Sequence, residues 1–349
     1  MKIFERTIPI HTRALRGLLF LIGIQAGCVK ESKELHPLEI VSPIGFPAMA
    51  QSVSDLNLTA EGVALGRKLF YDNQLSADQT ISCGSCHEQR AGFGTFEHDR
   101  SHGVFDSHTL RNAPPLFNLL WLKNYHWDGA YGTLQEEAAQ PLTGAIEMGM
   151  RFDQIKSYLE NDPGYREAFK KVFGTWFIRP ELITRALSQF TATFISANSK
   201  YDRVKQGRDQ FNADEQAGYQ LYQAKCATCH PEPLFTDQQY RNIGLPIDPF
   251  LNDGGRFRIT ADRTDSLKFK VPSLRNTAAT SNYMHDGRFA TLQQCIRHYR
   301  YGIQISATLD PLLRNGIPLS DAEEYKLIQF LKSLTDSTFL TDPRLARPR

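Results

Sequence analysis

The sequence has few cysteines, no excess of one charge and few strand signals. Its 349 residues contain only six cysteines, and 40 Lys and Arg nearly balance 38 Asp and Glu. No basic run has the length of those that bind nucleic acid. Strand signals are scarce, and Gly, Pro and Asn are spread through stretches that favour loops. These absences argue against a nucleic-acid-binding or sheet-based protein, while the length leaves room for two helical domains.

Four of the six cysteines lie in two short motifs, Cys83-Gly-Ser-Cys86-His87 and Cys226-Ala-Thr-Cys229-His230. Both read C-x-x-C-H, the attachment signature of a c-type haem, in which two thiols form thioethers and the His binds iron. The composition predicts a chance match only roughly 0.003 times. A zinc or redox C-x-x-C would leave the His after both pairs unexplained. Cys28 and Cys295 remain, and we expect no structural disulfide.

The N-terminus has the pattern of an export signal. Arg13 and Arg16 precede a short apolar run, Gly17 to Ile24. The run is too short to span a bilayer. It is followed by Gln25-Ala26-Gly27-Cys28, which resembles a lipobox, although Gln25 stands where an aliphatic residue is usual.

We therefore expect residues 1–27 to be a signal peptide of the lipoprotein type and Cys28 to be lipidated, with plain cleavage or retention as the alternatives. Residues 28–54, which contain three prolines, are expected to be a tether. Because c-type haems are attached outside the cytoplasm, we expect a periplasmic, membrane-anchored protein.

The chain also contains an internal repeat. The same elements surround both haem motifs in the same order: Gly66-x-x-Leu69-Phe70 and Gly218-x-x-Leu221-Tyr222, Leu110-Arg111-Asn112 and Leu274-Arg275-Asn276, Trp127-Asp128-Gly129 and His285-Asp286-Gly287, Thr133-x-x-Glu136 and Thr291-x-x-Gln294. The last pair are capping boxes that predict a helix start, as does Ser320-x-x-Glu323. Paired small residues before each motif predict close helix crossings.

The repeat predicts a mainly α fold with two cytochrome c-like haem domains in tandem and long loops. The first haem domain would span residues 55–200, and the second haem domain residues 201–340.

Two acidic side chains lie near the predicted helix of the first repeat. Residues at i+3 and i+7 share a helix face with residue i, so Glu137 lies on the face with Leu134 that is expected to point inward. Glu147 follows the same helix. A buried carboxylate is costly unless it is paired or functional. From the residues alone, a structural ion pair or a surface position remains open for both acids.

With these motifs in place, the chain resembles the bacterial di-haem cytochrome c peroxidases, whose superfamily includes the MauG enzymes that oxidise a partner protein. The resemblance covers about residues 55–335. It rests on both haem motifs and on four further stretches: Leu-Arg-Asn-Ala-Pro at 110–114, Trp127-Asp128-Gly129, Glu147-Met148, and Lys270-Val-Pro-Ser-Leu-Arg-Asn276 through His285-Asp-Gly287.

The resemblance implies roles for residues of the first half. Glu147 matches the acid that moves a proton between the two peroxide oxygens, which is general acid/base work. Trp127 matches the aromatic between the haems, an electron relay, with a core Trp as the alternative. Glu137 stands where the family usually carries Gln, so it changes the charge of the pocket. His102 matches the loop His that caps the peroxidatic iron in resting peroxidases, or it is a solvated loop residue like His98 and His108.

The resemblance also implies two sites in the second half and between the halves. The distal ligand of the second haem is a Met in the peroxidases, and its position here is Tyr299, as in the MauG branch; a buried core Tyr is the alternative, and Met284 and His298 are competing ligands. A calcium ion between the domains would use Asn112, Thr280 and Asn282, since carbonyl and amide oxygens suit that cation.

The resulting interpretation is a di-haem peroxidase that reduces hydrogen peroxide to water. A small donor, a cytochrome c or a cupredoxin, would deliver electrons to the haem at His230, and Trp127 would relay them to the haem at His87. The alternatives are a MauG-like oxidase of a protein or organic substrate and a non-catalytic dihaem electron-transfer cytochrome. A homodimer is left open.

Overall fold

Helices make up most of the regular structure in the computed structural model of this chain, which describes residues 34–348. The predicted signal peptide, residues 1–27, and Cys28 lie outside this range. The α-helices of the described residues are α1 (Ala60–Phe70), α2 (Cys83–Cys86), α3 (Leu134–Thr143), α4 (Phe152–Asn161), α5 (Pro163–Phe173), α6 (Pro180–Ala192), α7 (Lys200–Lys205), α8 (Ala213–Lys225), α9 (Phe257–Thr260), α10 (Leu292–Arg297), α11 (Asp321–Ser333) and α12 (Ser337–Leu340).

Little sheet accompanies these helices. Strands β1 (Tyr240–Arg241) and β2 (Phe269–Lys270) form an antiparallel pair, with Tyr240 opposite Lys270. A π-helical turn, His298–Gly302, continues α10. The predicted mainly α fold is confirmed. Between residues 34 and 348 no helix has both the length and the apolar character that crossing a bilayer requires.

The helix starts follow the predicted capping boxes. The Thr133 hydroxyl accepts a hydrogen bond from the Glu136 main-chain N–H at 3.2 Å, and the Glu136 carboxylate accepts one from the Thr133 N–H at 3.1 Å. Thr291 and Gln294 repeat this arrangement at the start of α10, and Ser320 does the same for α11. Each box satisfies main-chain donors that the first helical turn leaves without a partner.

The paired glycines sit where helices cross. Helix α1 packs against α6, and α8 packs against α11. A Cβ on Gly66 would lie 1.9 Å from the carbonyl oxygen of Ala186, and one on Gly218 would lie 2.0 Å from that of Lys326. Only glycine permits these approaches. The predicted close crossings are confirmed in both halves.

From Leu35 onward the described residues form one compact unit. Its largest apolar cluster draws on α1, α4, α5 and α6 of the first half, and another is built from α8, α11 and their neighbours in the second. Phe339 and Leu345, near the C-terminus, belong to the first-half cluster. The end of the chain therefore returns to the half that carries the first haem motif.

Part of the predicted tether is packed against the core. The Leu38 N–H donates to the Leu58 carbonyl at 2.9 Å, and the Trp121 indole donates to the Pro47 carbonyl at 3.0 Å. The Phe46 ring lies edge-on to Trp121, with centroids 5.2 Å apart. Within residues 34–54, Ile40, Phe46, Met49 and Val53 are partly buried against a first-half apolar cluster, so this part of the predicted tether packs on the domain.

Candidate active site

The first haem motif forms a short helix that presents its imidazole in one orientation. Helix α2 begins after Ser82, and His87 follows it directly. The His87 Nδ1 lies 2.7 Å from the Phe93 carbonyl oxygen, so Nδ1 carries the proton and Nε2 is left to bind a metal. Burial lowers the pKa of His87, which keeps the ring neutral as iron ligation requires.

The second motif repeats this arrangement. The His230 Nδ1 lies 3.0 Å from the Phe235 carbonyl oxygen and 3.1 Å from that of Pro272. Burial lowers the pKa of this imidazole too. In both halves the imidazole nitrogen that faces away from the protein carbonyl is free for iron, and the two thiols of each motif precede it in the chain.

A cavity of about 480 Å³ adjoins the first motif. This volume falls within the range of about 300–1,000 Å³ that small-molecule and cofactor sites have. Its wall includes the predicted haem-attachment residues Cys83, Cys86 and His87 and the predicted catalytic residues Trp127, Glu137 and Glu147. Two thiols and a neutral imidazole in the wall, with two acids that each have one unpartnered oxygen within residues 34–348, fit a covalently attached haem c with a reacting face.

Glu147 faces this cavity with one oxygen unsatisfied. Its Oε2 is buried and makes no hydrogen bond within the described residues. Burial raises the pKa of Glu147, while a hydrogen bond from Gln140 opposes the shift. A Cβ on Gly144 would lie 2.4 Å from Oε2, so the carboxyl rests directly on that glycine. The negative charge of Glu147 also contributes to the raised pKa of the Cys83 thiol.

Glu137 lies in the wall of the same cavity. Its Oε2 is buried and has no hydrogen-bond partner within residues 34–348, and its Oε1 lies 3.6 Å from the His126 Nε2. Burial raises the pKa of Glu137 to about 8, and the charge of Glu147 adds to the shift. The nearby ammonium of Lys270 opposes it. The structure thus brings both predicted acids to the first haem motif.

Two basic residues of this site were missed by the sequence analysis. His126 precedes Trp127-Asp128-Gly129, and Lys270 opens the second-half motif, but neither has a spacing that predicts a site. The Lys270 Nζ donates to the Asn124 carbonyl at 2.7 Å, and burial lowers its pKa to about 8. The Lys270 ammonium comes from the other half of the chain and acts on Glu137 in the cavity wall, which only the fold can show.

Trp127 is held at the junction of the two halves. Its indole N–H donates to the Asn112 carbonyl at 2.9 Å, and its own carbonyl accepts from the Lys270 main-chain N–H at 2.7 Å. The adjacent Asp128 accepts from Arg111 at 2.6 Å. Arg111 also binds both oxygens of Asp253, at 2.6 and 2.9 Å. These contacts fix the indole between groups from both repeats.

His102 lies outside the cavity wall. Its side chain is exposed, and its ring centroid lies 4.8 Å from that of His98 and 4.5 Å from that of His108. Its carbonyl oxygen lies 3.8 Å from the Cys86 sulfur, so the loop itself borders the haem motif. Over residues 34–348, no group of three or more His, Cys, Asp or Glu side chains is placed to hold a metal ion.

Tyr299 faces the second haem motif from the π-helical turn. Its hydroxyl makes no hydrogen bond within the described part of the chain. Burial raises the pKa of Tyr299, and the thiols of Cys295, Cys226 and Cys229 add to the shift, so the phenol lies within electrostatic range of the attachment cysteines. His298 is the competing candidate for the distal ligand. Its Nε2 lies 2.9 Å from the Ile243 carbonyl oxygen, within hydrogen-bond distance.

The three predicted calcium residues lie in neighbouring loops. The Asn112 amide donates to the Asp99 carbonyl at 2.9 Å, and the Asn282 amide donates to the Gly287 carbonyl at 3.1 Å. A Cβ on Gly287 would lie 2.0 Å from that same Asp99 oxygen, so the two loops touch. The Thr280 carbonyl accepts from the Tyr283 hydroxyl at 3.1 Å.

Comparison with known proteins gives this arrangement a family. A profile described as di-haem cytochrome c peroxidase matches residues 60–210. The chain is 33% identical over 295 residues to the methylamine utilization protein MauG of Methylorubrum extorquens, with 82% of each chain covered. The chain belongs to the di-haem cytochrome c peroxidase and MauG family.

Relatives of both kinds occur within this family. The cytochrome c551 peroxidase of Nitrosomonas europaea is 31% identical over 336 residues, which cover 95% of this chain and 92% of that protein. The crystal structure of a MauG-like protein associated with microbial copper homeostasis superposes with a TM-score of 0.81 at 33% identity, covering 89% of this chain and 99% of the other. The chain is therefore a di-haem c-type oxidoreductase of the family that contains peroxidases and MauG enzymes.

Proposed function

We propose that this protein is a di-haem peroxidase that reduces hydrogen peroxide to water with electrons from a small redox protein, a cytochrome c or a cupredoxin. The observation that carries the proposal is the pair of buried carboxyls Glu137 and Glu147 in the wall of the cavity that holds Cys83, Cys86 and His87. Each has one buried oxygen with no hydrogen-bond partner within residues 34–348. A purely electron-transferring cytochrome needs no such acids, and burying them without a partner is costly.

In the first half, some residues would hold the haem and Glu147 would transfer the proton. When bound to Cys83 and Cys86, a haem c ligated by His87 supplies an iron centre that reacts with peroxide. Glu147 holds a proton next to the reacting oxygens and moves it from one oxygen to the other, as a general acid/base does. The net reaction consumes one peroxide, two protons and two electrons and yields two waters.

The residues of the second half deliver the electrons. Cys226, Cys229 and His230 would hold the second haem, and Tyr299 would be its distal ligand, since its hydroxyl is within electrostatic range of the attachment cysteines and forms no protein hydrogen bond within residues 34–348. Trp127, fixed by contacts to both repeats, would relay electrons between the two sites.

A MauG-like oxidase is the second candidate, and Tyr299 is the observation that favours it. A Tyr ligand stabilises oxidised iron more than a Met ligand does. A site of that kind is better suited to holding oxidising equivalents than to storing electrons, and it would serve the oxidation of a protein or organic substrate.

The decisive experiment is peroxide turnover by the protein carrying both haems. With reduced cytochrome c or reduced cupredoxin as the donor, we expect rapid peroxide-dependent oxidation of the donor. A protein that leaves both donors reduced, but stays oxidised for minutes after peroxide addition until a protein substrate is supplied, is a MauG-like oxidase.

His102 is proposed to cap the first haem in the fully oxidised resting state and to leave when the second haem is reduced. The loop that carries it borders Cys86, although its side chain is exposed in this structure. We expect a low-spin resting spectrum that becomes partly high-spin at half reduction, and a high-spin resting spectrum in His102→Gln. His108→Gln, the matched control, should leave the spectrum unchanged. A wild-type protein that rests high-spin at the first haem rules out the capping role.

Three further assignments complete the proposal. Asn112, Thr280 and Asn282 would bind one calcium ion between the loops that carry them. The protein would be periplasmic, and lipidation of Cys28 would anchor it to a membrane. Mass spectrometry of the membrane-extracted protein tests the anchor, because a lipidated N-terminal cysteine adds the mass of its acyl chains.

A further inference from the structure

The side chains of Glu137 and His126 meet in the wall of the first cavity. The Glu137 Oε1 lies 3.6 Å from the His126 Nε2, and the other carboxyl oxygen is buried with no partner among residues 34–348. Catalytic contacts are often this long before a ligand is bound. Both side chains line the cavity, and each retains about a quarter of its exposed surface. The pair therefore lies open to the reacting space, and on the other side of the ring the His126 Nδ1 lies 3.9 Å from the Asp128 Oδ1.

The surroundings argue against a simple ion pair between the two residues. Burial lowers the pKa of His126 to about 4 and raises that of Glu137 to about 8, so near neutral pH both are uncharged. The titratable or charged groups that act on Glu137 and His126 from the packed elements are His87, Arg111, Tyr125, Asp128, Tyr131, Glu147 and Lys270. A neutral imidazole beside a neutral acid is the combination that passes a proton without creating a buried charge.

The internal repeat shows that this pair belongs to the first half only. Counting from Thr133 and Thr291, the counterpart of Glu137 is Cys295, and the counterpart of His126 is Met284. Neither side chain there can carry a proton as a carboxyl–imidazole pair does. The two repeats share caps and close helix crossings, so the difference does not arise from the needs of the fold.

We propose that His126 and Glu137 form a proton-delivery pair for the first cavity, distinct from Glu147. Glu137 gives its carboxyl proton to an oxygen in the cavity, and His126 replaces it by passing its Nε2 proton to the Glu137 Oε1 while its Nδ1 takes a proton from solvent. Each transfer moves one proton from solvent to the cavity and leaves the imidazole in its Nδ1-protonated form. Its Nε2 must be protonated again, by exchange of the ring protons with solvent or by ring rotation, before it delivers the second proton that each peroxide requires. This inference rests on the proposed peroxidase function and adds the route by which the protons arrive.

The first test is spectroscopic and does not depend on turnover. Infrared spectra of the protein carrying both haems should show the carbonyl stretch of protonated Glu137 at pH 7. The band should be absent in Glu137→Gln, which keeps the side-chain shape, and retained in Glu147→Gln. In His126→Gln the band should persist, but its shift on transfer to D2O should be slowed at least tenfold. A Glu137 band that exchanges as fast in His126→Gln as in the wild type overturns the delivery role.

The second test uses chemical rescue. We expect His126→Ala to lower peroxide turnover about 10²-fold, as loss of a proton-transfer group does, and added imidazole to restore much of the rate. Glu137→Gln should be slowed without rescue. The haem content and absorbance of each variant show that it is folded. If His126→Ala retains the wild-type rate and solvent isotope effect, the proposal is wrong. If no variant or wild type turns over peroxide, the proposed function fails, and the infrared exchange still tests the pair.

Discussion

Replacing Glu147 with Gln is expected to lower peroxide turnover about 10²–10⁴-fold, the usual cost of losing a general acid/base. Gln keeps the size of the side chain and its contact with Gly144, but it cannot hold and release the proton that the buried, unpartnered carboxyl supplies. Steady-state rates with a reduced donor, measured on protein with both haems attached, give the effect.

A matched control lies on the helix that precedes Glu147. Glu136 is exposed, and its carboxylate accepts hydrogen bonds from the main-chain N–H groups of Thr133, in the capping box of α3, and of Gly132. Gln also serves at that position of a capping box, so Glu136→Gln removes the same charge and should leave turnover near the wild-type rate. Full activity in Glu147→Gln, or an equal loss in both variants, contradicts the assignment of Glu147.

Replacing Tyr299 with Phe is expected to change the spectrum of the His230 haem and raise its reduction potential. Removal of the phenol oxygen takes away the proposed distal ligand, and oxidised iron loses the stabilisation that a Tyr ligand gives. Tyr299→Met should raise the potential further towards that of a Met-ligated haem. The measurements are absorbance and electron paramagnetic resonance spectra with a redox titration.

The control for this prediction is two residues away. Tyr301 lies in the same π-helical turn but its side chain is 70% exposed, so Tyr301→Phe should leave both haems unchanged. If Tyr299→Phe keeps the axial ligation and potential of the wild type, Tyr299 is a buried core residue and another group, such as Met284, holds the iron.

Short-range patterns predicted much of this fold. Capping boxes at Thr133, Thr291 and Ser320 mark helix starts in the structure, because the hydrogen bonds that cap a helix form between residues three apart. The paired glycines, Gly66 and Gly218, predicted where helices cross. The internal repeat could be recognised because the same capping boxes and glycine positions occur in both halves of the chain.

The parts that the sequence did not predict depend on contacts between distant residues. Lys270 belongs to the second half, and nothing in the spacing of the chain places its ammonium near Glu137 of the first half. His126 has no motif of its own. Tyr299 was named from the sequence, but the π-helical turn that carries it was not predicted; such a turn adds a residue to the helical repeat and is frequent at functional sites.

The most direct test of the central claim is the number of electrons that the donor supplies for each peroxide consumed. Reduced cytochrome c or cupredoxin is mixed with the di-haem protein and a limiting amount of hydrogen peroxide, and the oxidised donor is counted. The proposed function predicts about two donor molecules oxidised per peroxide, because reduction of peroxide to water takes two electrons. Peroxide consumption with no donor oxidation would contradict the account.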